Sequence, residues 1–110
     1  MAIEKQSRRI GVIGLGSVGK AVKHAFSFYH PCTGYDIRGE YSWEDVLDTS
    51  VVFICVPTPE GGDGRLDCSI VESVLSRLSV SRYAGVVVIK STIGVGFMDE
   101  AVTEYPDLRQ

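Results

Sequence analysis

The chain has 110 residues, 45% hydrophobic and 23% charged, with a formal net charge of −3. That suits one folded globular domain and excludes an intrinsically disordered chain. No apolar run reaches the roughly 18–20 residues of a membrane span, and no basic cluster exceeds the Arg8-Arg9 pair, so nothing points to a nucleic-acid surface.

Residues 1–8 read as a polar lead-in without the apolar stretch of a signal peptide, and residues 9–110 as a single domain. The run from Arg9 to Gly14 (Arg-Ile-Gly-Val-Ile-Gly) predicts a strand buried on both faces of a parallel sheet. A helix is expected over Ser17 to Tyr29, with Val18, Val22, Ala25, Phe26 and Tyr29 forming its apolar stripe and Pro31 stopping it. A second strand, Cys32 to Ile37, delivers Asp36 to its C-terminal end. Ser42 is a natural N-cap for a short helix through Leu47 with acidic residues in its first turn. Ser50 to Val56 is a β-branched and aromatic third strand, stopped by Pro57-Thr58-Pro59. Glu60 to Asp67 is a glycine-rich loop, and Ser69-x-x-Glu72 reads as a capping box opening a helix with Val71, Val74, Leu75 and Leu78 buried. Gly85 to Lys90 predicts a fourth strand, followed by Ser91, Thr92, the Gly94-Val95-Gly96 turn and a last helix from Phe97 to Glu104. This alternation predicts an α/β, Rossmann-like three-layer fold. Its parallel sheet would have about four strands in the order 3-2-1-4 and be truncated relative to a full dinucleotide-binding domain.

Gly14, Gly16 and Gly19 have the G-x-G-x-x-G spacing. The first glycine permits a tight turn, the second lets a pyrophosphate approach the backbone, and the third lets the helix pack closely on the sheet. The free N–H groups of the turn and helix start, carried by Leu15, Ser17 and Val18 beside the glycines, favour phosphate charge. Asp36 stands 22 residues after Gly14, close to the spacing of about 20 expected for the acidic residue that accepts ribose hydroxyls. A carboxylate there favours NAD over NADP. Arg38 reads chiefly as a solvated charge, with a 2′-phosphate contact as its alternative. Val56, Pro57 and Thr58 end strand 3, where the stiffened turn presents a hydroxyl to the cofactor crevice or serves only the turn. Ser91 and Thr92 end strand 4, where they contact the cofactor or cap the strand end.

Cys32, Cys55 and Cys68 form no C-x-x-C pair, and their odd number suggests no disulfide framework. They read as packing residues in a chain of the reducing cytoplasm. His24 and His30 lie away from the strand C-termini, and Asp63 and Asp67 have no neighbouring ligand cluster, so no metal site is expected.

The segments Ile10 to Gly19, Gly34 to Ile37, Val52 to Pro59, Asp63 to Ser69 and Val88 to Ile93 resemble successive motifs of the UDP-glucose/GDP-mannose dehydrogenase family, in its N-terminal NAD-binding domain. In that family the sugar C6 hydroxyl is oxidised to a carboxylate in two NAD-dependent steps. The resemblance implies that Gly14, Gly16 and Gly19 bind the pyrophosphate and Asp36 the adenosine ribose. It also implies that Thr58 contacts the cofactor and that Thr92 lies near the reacting centre as an auxiliary catalytic group. Two departures stand out: the Arg38 to Thr49 segment is short, and Gly94 replaces the family's proline. The family's catalytic cysteine, lysine and aspartate belong to later regions with no counterpart in this chain, so the chain alone is not expected to complete the oxidation, and a UDP- or GDP-sugar is expected as a partner only in a full-length context. A non-catalytic nucleotide sensor and a degenerate Rossmann module are the alternative readings. The expected partners are NAD and, through the outer edge of strand 4 or nearby apolar surface, a second copy of the chain.

Overall fold

A computed structural model describes residues 8–39 and 41–109; apart from Arg8, the expected lead-in lies outside the described residues. The chain runs β1 (Ile10–Ile13), α1 (Ser17–Ser27), β2 (Cys32–Tyr35), α2 (Trp43–Leu47), β3 (Val51–Ile54), α3 (Ser69–Val80), β4 (Val86–Ile89) and α4 (Phe97–Glu104). All strand pairs are parallel, as the βα alternation requires, with Ile13 opposite Tyr35 on one side and Ile54 on the other.

The strand order corrects one expectation. The sheet runs β2-β1-β3-β4, not 3-2-1-4. Helix α2 packs across both β2 and β1, so the chain passes over β1 and lays β3 on its far edge. Two strand spacings, about 9.6 Å, separate β2 from β3, a gap that the short β2–β3 connection readily crosses. The topological switch therefore falls between β1 and β3.

Alternation along the strands divides the sheet into two faces. Ile13, Val52, Ile54 and Val87 share a core cluster with Trp43 and Val46 of α2, Val71, Leu75 and Leu78 of α3, and Phe97 and Ala101 of α4. On the other face Phe53 stacks on Phe26 of α1 at 5.1 Å between ring centroids. The outer edge of β4 is bridged by Arg109, whose carbonyl accepts the Val87 N–H at 2.6 Å.

Several local readings shift. Helix α1 ends at Ser27, and its contact face is Gly19, Val22, Lys23 and Phe26, leaving Val18, Ala25 and Tyr29 exposed. The pivot is Gly19, where a Cβ would overlap the Gly14 carbonyl oxygen, so the helix start lies directly on the end of β1. Ser42 caps α2 by accepting the Asp45 N–H at 3.3 Å. The capping box at α3 does not form: Cys68 is the N-cap, and the Asp67 carboxylate accepts the Ser69 N–H at 2.9 Å. Arg82 adopts a left-handed φ of 58° just past α3.

Candidate functional site

A cavity of about 830 Å³ opens at the carboxyl ends of the strands, within the size range of small-molecule and cofactor sites. Its floor is the turn from β1 to α1. Gly14 has a φ of +95°, and a Cβ there would stand 2.8 Å from the Cys55 carbonyl, so this turn abuts the end of β3 across the switch. Gly16 faces open space, with nothing within 4 Å of its would-be Cβ. No side chain caps the N-terminus of α1, and its first turn holds no acidic residue. The arrangement offers unmet N–H groups and a helix dipole to an anion that can approach over Gly16. These are the features a pyrophosphate requires, and the residues fit a dinucleotide.

Asp36 lies just past β2, with its side chain 11% exposed. One carboxylate oxygen, Oδ2, accepts the Leu15 N–H at 2.8 Å, which ties the end of β2 to the glycine turn. The other, Oδ1, accepts the Arg38 backbone N–H at 3.0 Å. The Arg38 side chain donates from Nε to Oδ1 at 3.0 Å and from Nη2 to Oδ2 at 3.1 Å. Led by the guanidinium, these donors hold the Asp36 carboxyl well below the usual carboxylate range. Arg38 is thus engaged on Asp36, not merely solvated.

Of the residues singled out in the sequence, Gly14, Gly16, Ser17, Val18 and Asp36 line the cavity on one side of the switch, and Val56, Pro57, Thr58, Ser91 and Thr92 line it on the other. Leu15 and Gly19 do not: Leu15 contributes its N–H to Asp36 while its side chain packs where a Cβ on Gly34 would stand, and Gly19 seats the helix. Because β3 intervenes between β1 and β4, the glycine turn faces Cys55 to Thr58 directly and Ser91-Thr92 one strand further away. The Ser91 hydroxyl donates to the Val56 carbonyl at 2.7 Å, locking the ends of β3 and β4 together. Thr92 is exposed at the rim. Cys55 also reaches the cavity, and burial pushes its thiol up, the opposite of what an activated nucleophile needs. Neither histidine lines the cavity, and among the described residues no three His, Cys, Asp or Glu side chains converge as a metal site.

Sequence reasoning missed one wall of the site. Arg77 of α3 lies over the ring of Trp43, 4.0 Å from its centroid, and donates to the Tyr35 hydroxyl at 2.9 Å. Tyr35 and Trp43 meet edge to face at 5.2 Å, and Trp43 Nε1 donates to Ser81 Oγ at 3.2 Å. With Ile70 and Val74, this cluster lines the side of the cavity formed by α2 and α3. The short β2–β3 connection supplies its Trp43. The amphipathic reading of α3 found its buried stripe but carried no information on which residues its exposed Arg77 would meet.

The model for the UDP-glucose/GDP-mannose dehydrogenase family, NAD binding domain, matches residues 37–107, a span that begins just after the glycine turn and Asp36. A segment of 59 residues, 50% of this chain, is 39% identical to uncharacterized protein MJ1054 of Methanocaldococcus jannaschii and covers 6% of it. Among solved structures, a UDP-D-ManNAc dehydrogenase from Pyrococcus horikoshii superposes with a TM-score of 0.80 at 25% identity, over 93% of this chain and 33% of that one. A UDP-glucose dehydrogenase from Pyrobaculum islandicum has the same fold, with a TM-score of 0.76 at 24% identity over 94% of this chain and 34% of that one. The chain thus spans about a third of the length of these enzymes. The cavity, with its glycine turn and its acidic residue past β2, suits the cofactor that the family's domain binds, and the chain belongs to the UDP-glucose/GDP-mannose dehydrogenase family as its NAD binding domain.

Proposed function

We propose that this chain holds NAD across the β1/β3 switch as the cofactor module of a nucleotide-sugar dehydrogenase. The pyrophosphate lies over Gly14, Gly16 and the first turn of α1. The adenosine ribose meets Asp36, the adenine lies along the Trp43–Arg77 flank, and the nicotinamide end extends toward Thr58 and Thr92. The observation that carries this reading is the open space over Gly16 at an uncapped helix N-terminus, in the same cavity as Asp36. When bound, NAD would supply a hydride acceptor for oxidation of a sugar-nucleotide hydroxyl, a reaction that belongs to the longer proteins. Cys32, Cys55 and Cys68 are free thiols, which suits a reducing compartment such as the cytoplasm. Among the described residues no helix is long and apolar enough to cross a membrane. Self-association through the part of the β4 edge beyond Arg109, or through the apolar sheet face beside it, is a further part of the proposal, and sedimentation at high concentration tests it.

Titration of the chain with NAD, NADH and NADPH, read by calorimetry and by quenching of Trp43, the sole tryptophan, tests the main reading. Saturable NAD binding is expected, without NADH production when UDP-glucose or GDP-mannose is added. Absence of saturable binding would favour a degenerate domain, and NADH production would refute the assignment of this chain as a cofactor module alone.

A further inference from the structure

Arg38 is the residue on which the cofactor preference turns. A carboxylate has about four lone-pair positions, and on Asp36 all four are taken. The backbone N–H groups of Leu15 and Arg38 fill two, at 2.8 and 3.0 Å, and anchor the carboxylate. The two remaining positions are filled by Nε and Nη2 of the Arg38 guanidinium at 3.0 and 3.1 Å. A ribose diol brings two hydroxyl donors and needs those same two positions. We propose that the Arg38 guanidinium is an internal stand-in for the ribose diol: NAD must evict it to reach Asp36, and once evicted it pairs with the 2′-phosphate of NADP. This deepens the NAD reading above and rests on it.

The geometry allows the exchange. The Arg38 side chain is 73% exposed, so it can swing into solvent without disturbing the core. It lines the same cavity as Asp36, so after eviction it remains at the ribose rim. A 2′-phosphate presents oxygens that a guanidinium meets with two parallel N–H bonds. The two cofactors therefore feel Arg38 with opposite sign. NAD loses an existing ion pair and gains nothing from the freed cation, whereas NADP exchanges that ion pair for another. Asp36 alone would enforce a strong preference for NAD; Arg38 narrows it.

The test compares NAD and NADP binding to the wild-type chain, Arg38→Ala and Arg38→Gln by calorimetry at fixed ionic strength. Both variants retain the backbone N–H that anchors Asp36. An exposed ion pair contributes at most about fivefold, so NAD should bind about two- to fivefold more tightly to both variants, while NADP, which trades the Asp36 pair for a stronger one to a dianionic phosphate, binds more weakly. The ratio of the two affinities then widens by more than the gain in NAD affinity alone. Unchanged or weaker NAD binding in both variants overturns the eviction. Undiminished NADP binding overturns the phosphate contact. Either failure leaves the NAD reading intact if the wild-type chain binds NAD, whereas a wild-type chain that binds no NAD overturns both.

Discussion

Replacing Gly16 with alanine separates the fold of the glycine turn from its function. Gly16 has φ −78° and ψ −159°, a backbone geometry open to any residue. Its new methyl group would find nothing within 4 Å. Alanine is a poorer N-cap than glycine but stiffens the unfolded chain, and these opposing effects leave a net change within about 1 kcal/mol. The melting temperature should then stay within about 8 °C of the wild type. NAD meets the same methyl group where its pyrophosphate approaches the N–H groups of α1. Losing one hydrogen bond to a charged group costs about 1.5–3 kcal/mol, so affinity should fall about tenfold to a hundredfold. Gly19→Ala is the contrasting control. Its Cβ would overlap the Gly14 carbonyl oxygen and approach the Gly14 carbonyl carbon to 2.9 Å. Rigid backbone must then move, and the overpacking costs about 3 kcal/mol or more, lowering the melting temperature by at least about 10 °C. Thermal melts paired with NAD titrations read both effects. Wild-type NAD affinity in Gly16→Ala would refute the placement of the pyrophosphate, and a melt as low as that of Gly19→Ala would refute the open space above the turn.

Two further outcomes follow from hydrogen bonds at Asp36 and in the core. The Asp36 carboxyl is depressed in the folded chain, so its contribution is complete above the unfolded value of about 3.9 and is lost only as pH falls below it, through the folded value. The difference in melting temperature between the wild type and Asp36→Asn should therefore stay constant from pH 7 to about 4.5; a difference that shrinks within that window would refute the cause assigned. Tyr83 shares a buried hydrogen bond of 2.9 Å with Thr49, whose hydroxyl also donates to the Val46 carbonyl at 2.6 Å. Tyr83→Phe leaves Thr49 Oγ1 short of a donor and should cost about 1 kcal/mol without changing NAD affinity, since neither residue lines the cavity; melts and titrations check the two halves.

The elements were legible because each is written in a local pattern. Val71, Leu75 and Leu78 recur at helical spacing and are fully buried in α3. The prolines at 57 and 59 follow the end of β3, and Ser42 caps α2. The glycine turn and Asp36 were legible too, since a fixed spacing along one βαβ unit carries them to the same place in space. The capping at the start of α3 departs from the expected box for a local reason. Asp67 takes the Ser69 N–H because its carboxylate already sits in the turn before the helix, and a capping box read from spacing alone does not see that competitor.

What the sequence determined by itself is therefore the α/β class, the glycine turn at Gly14 to Gly19 and the placement of Asp36 beside it, each set by the fixed spacing or the period of one βαβ unit. What only the tertiary structure decided is the strand order, the Tyr35–Trp43–Arg77 flank and the occupancy of Asp36 by Arg38. Which edge of β1 receives β3 depends on where α2 crosses the sheet, and no periodicity encodes that. Arg77 meets Tyr35 across 42 positions of sequence, a pairing that exists only once α3 packs beside α2. Arg38 stands only two residues from Asp36, yet its side chain reads as solvated until the fold fixes the carboxylate in place with the Leu15 N–H.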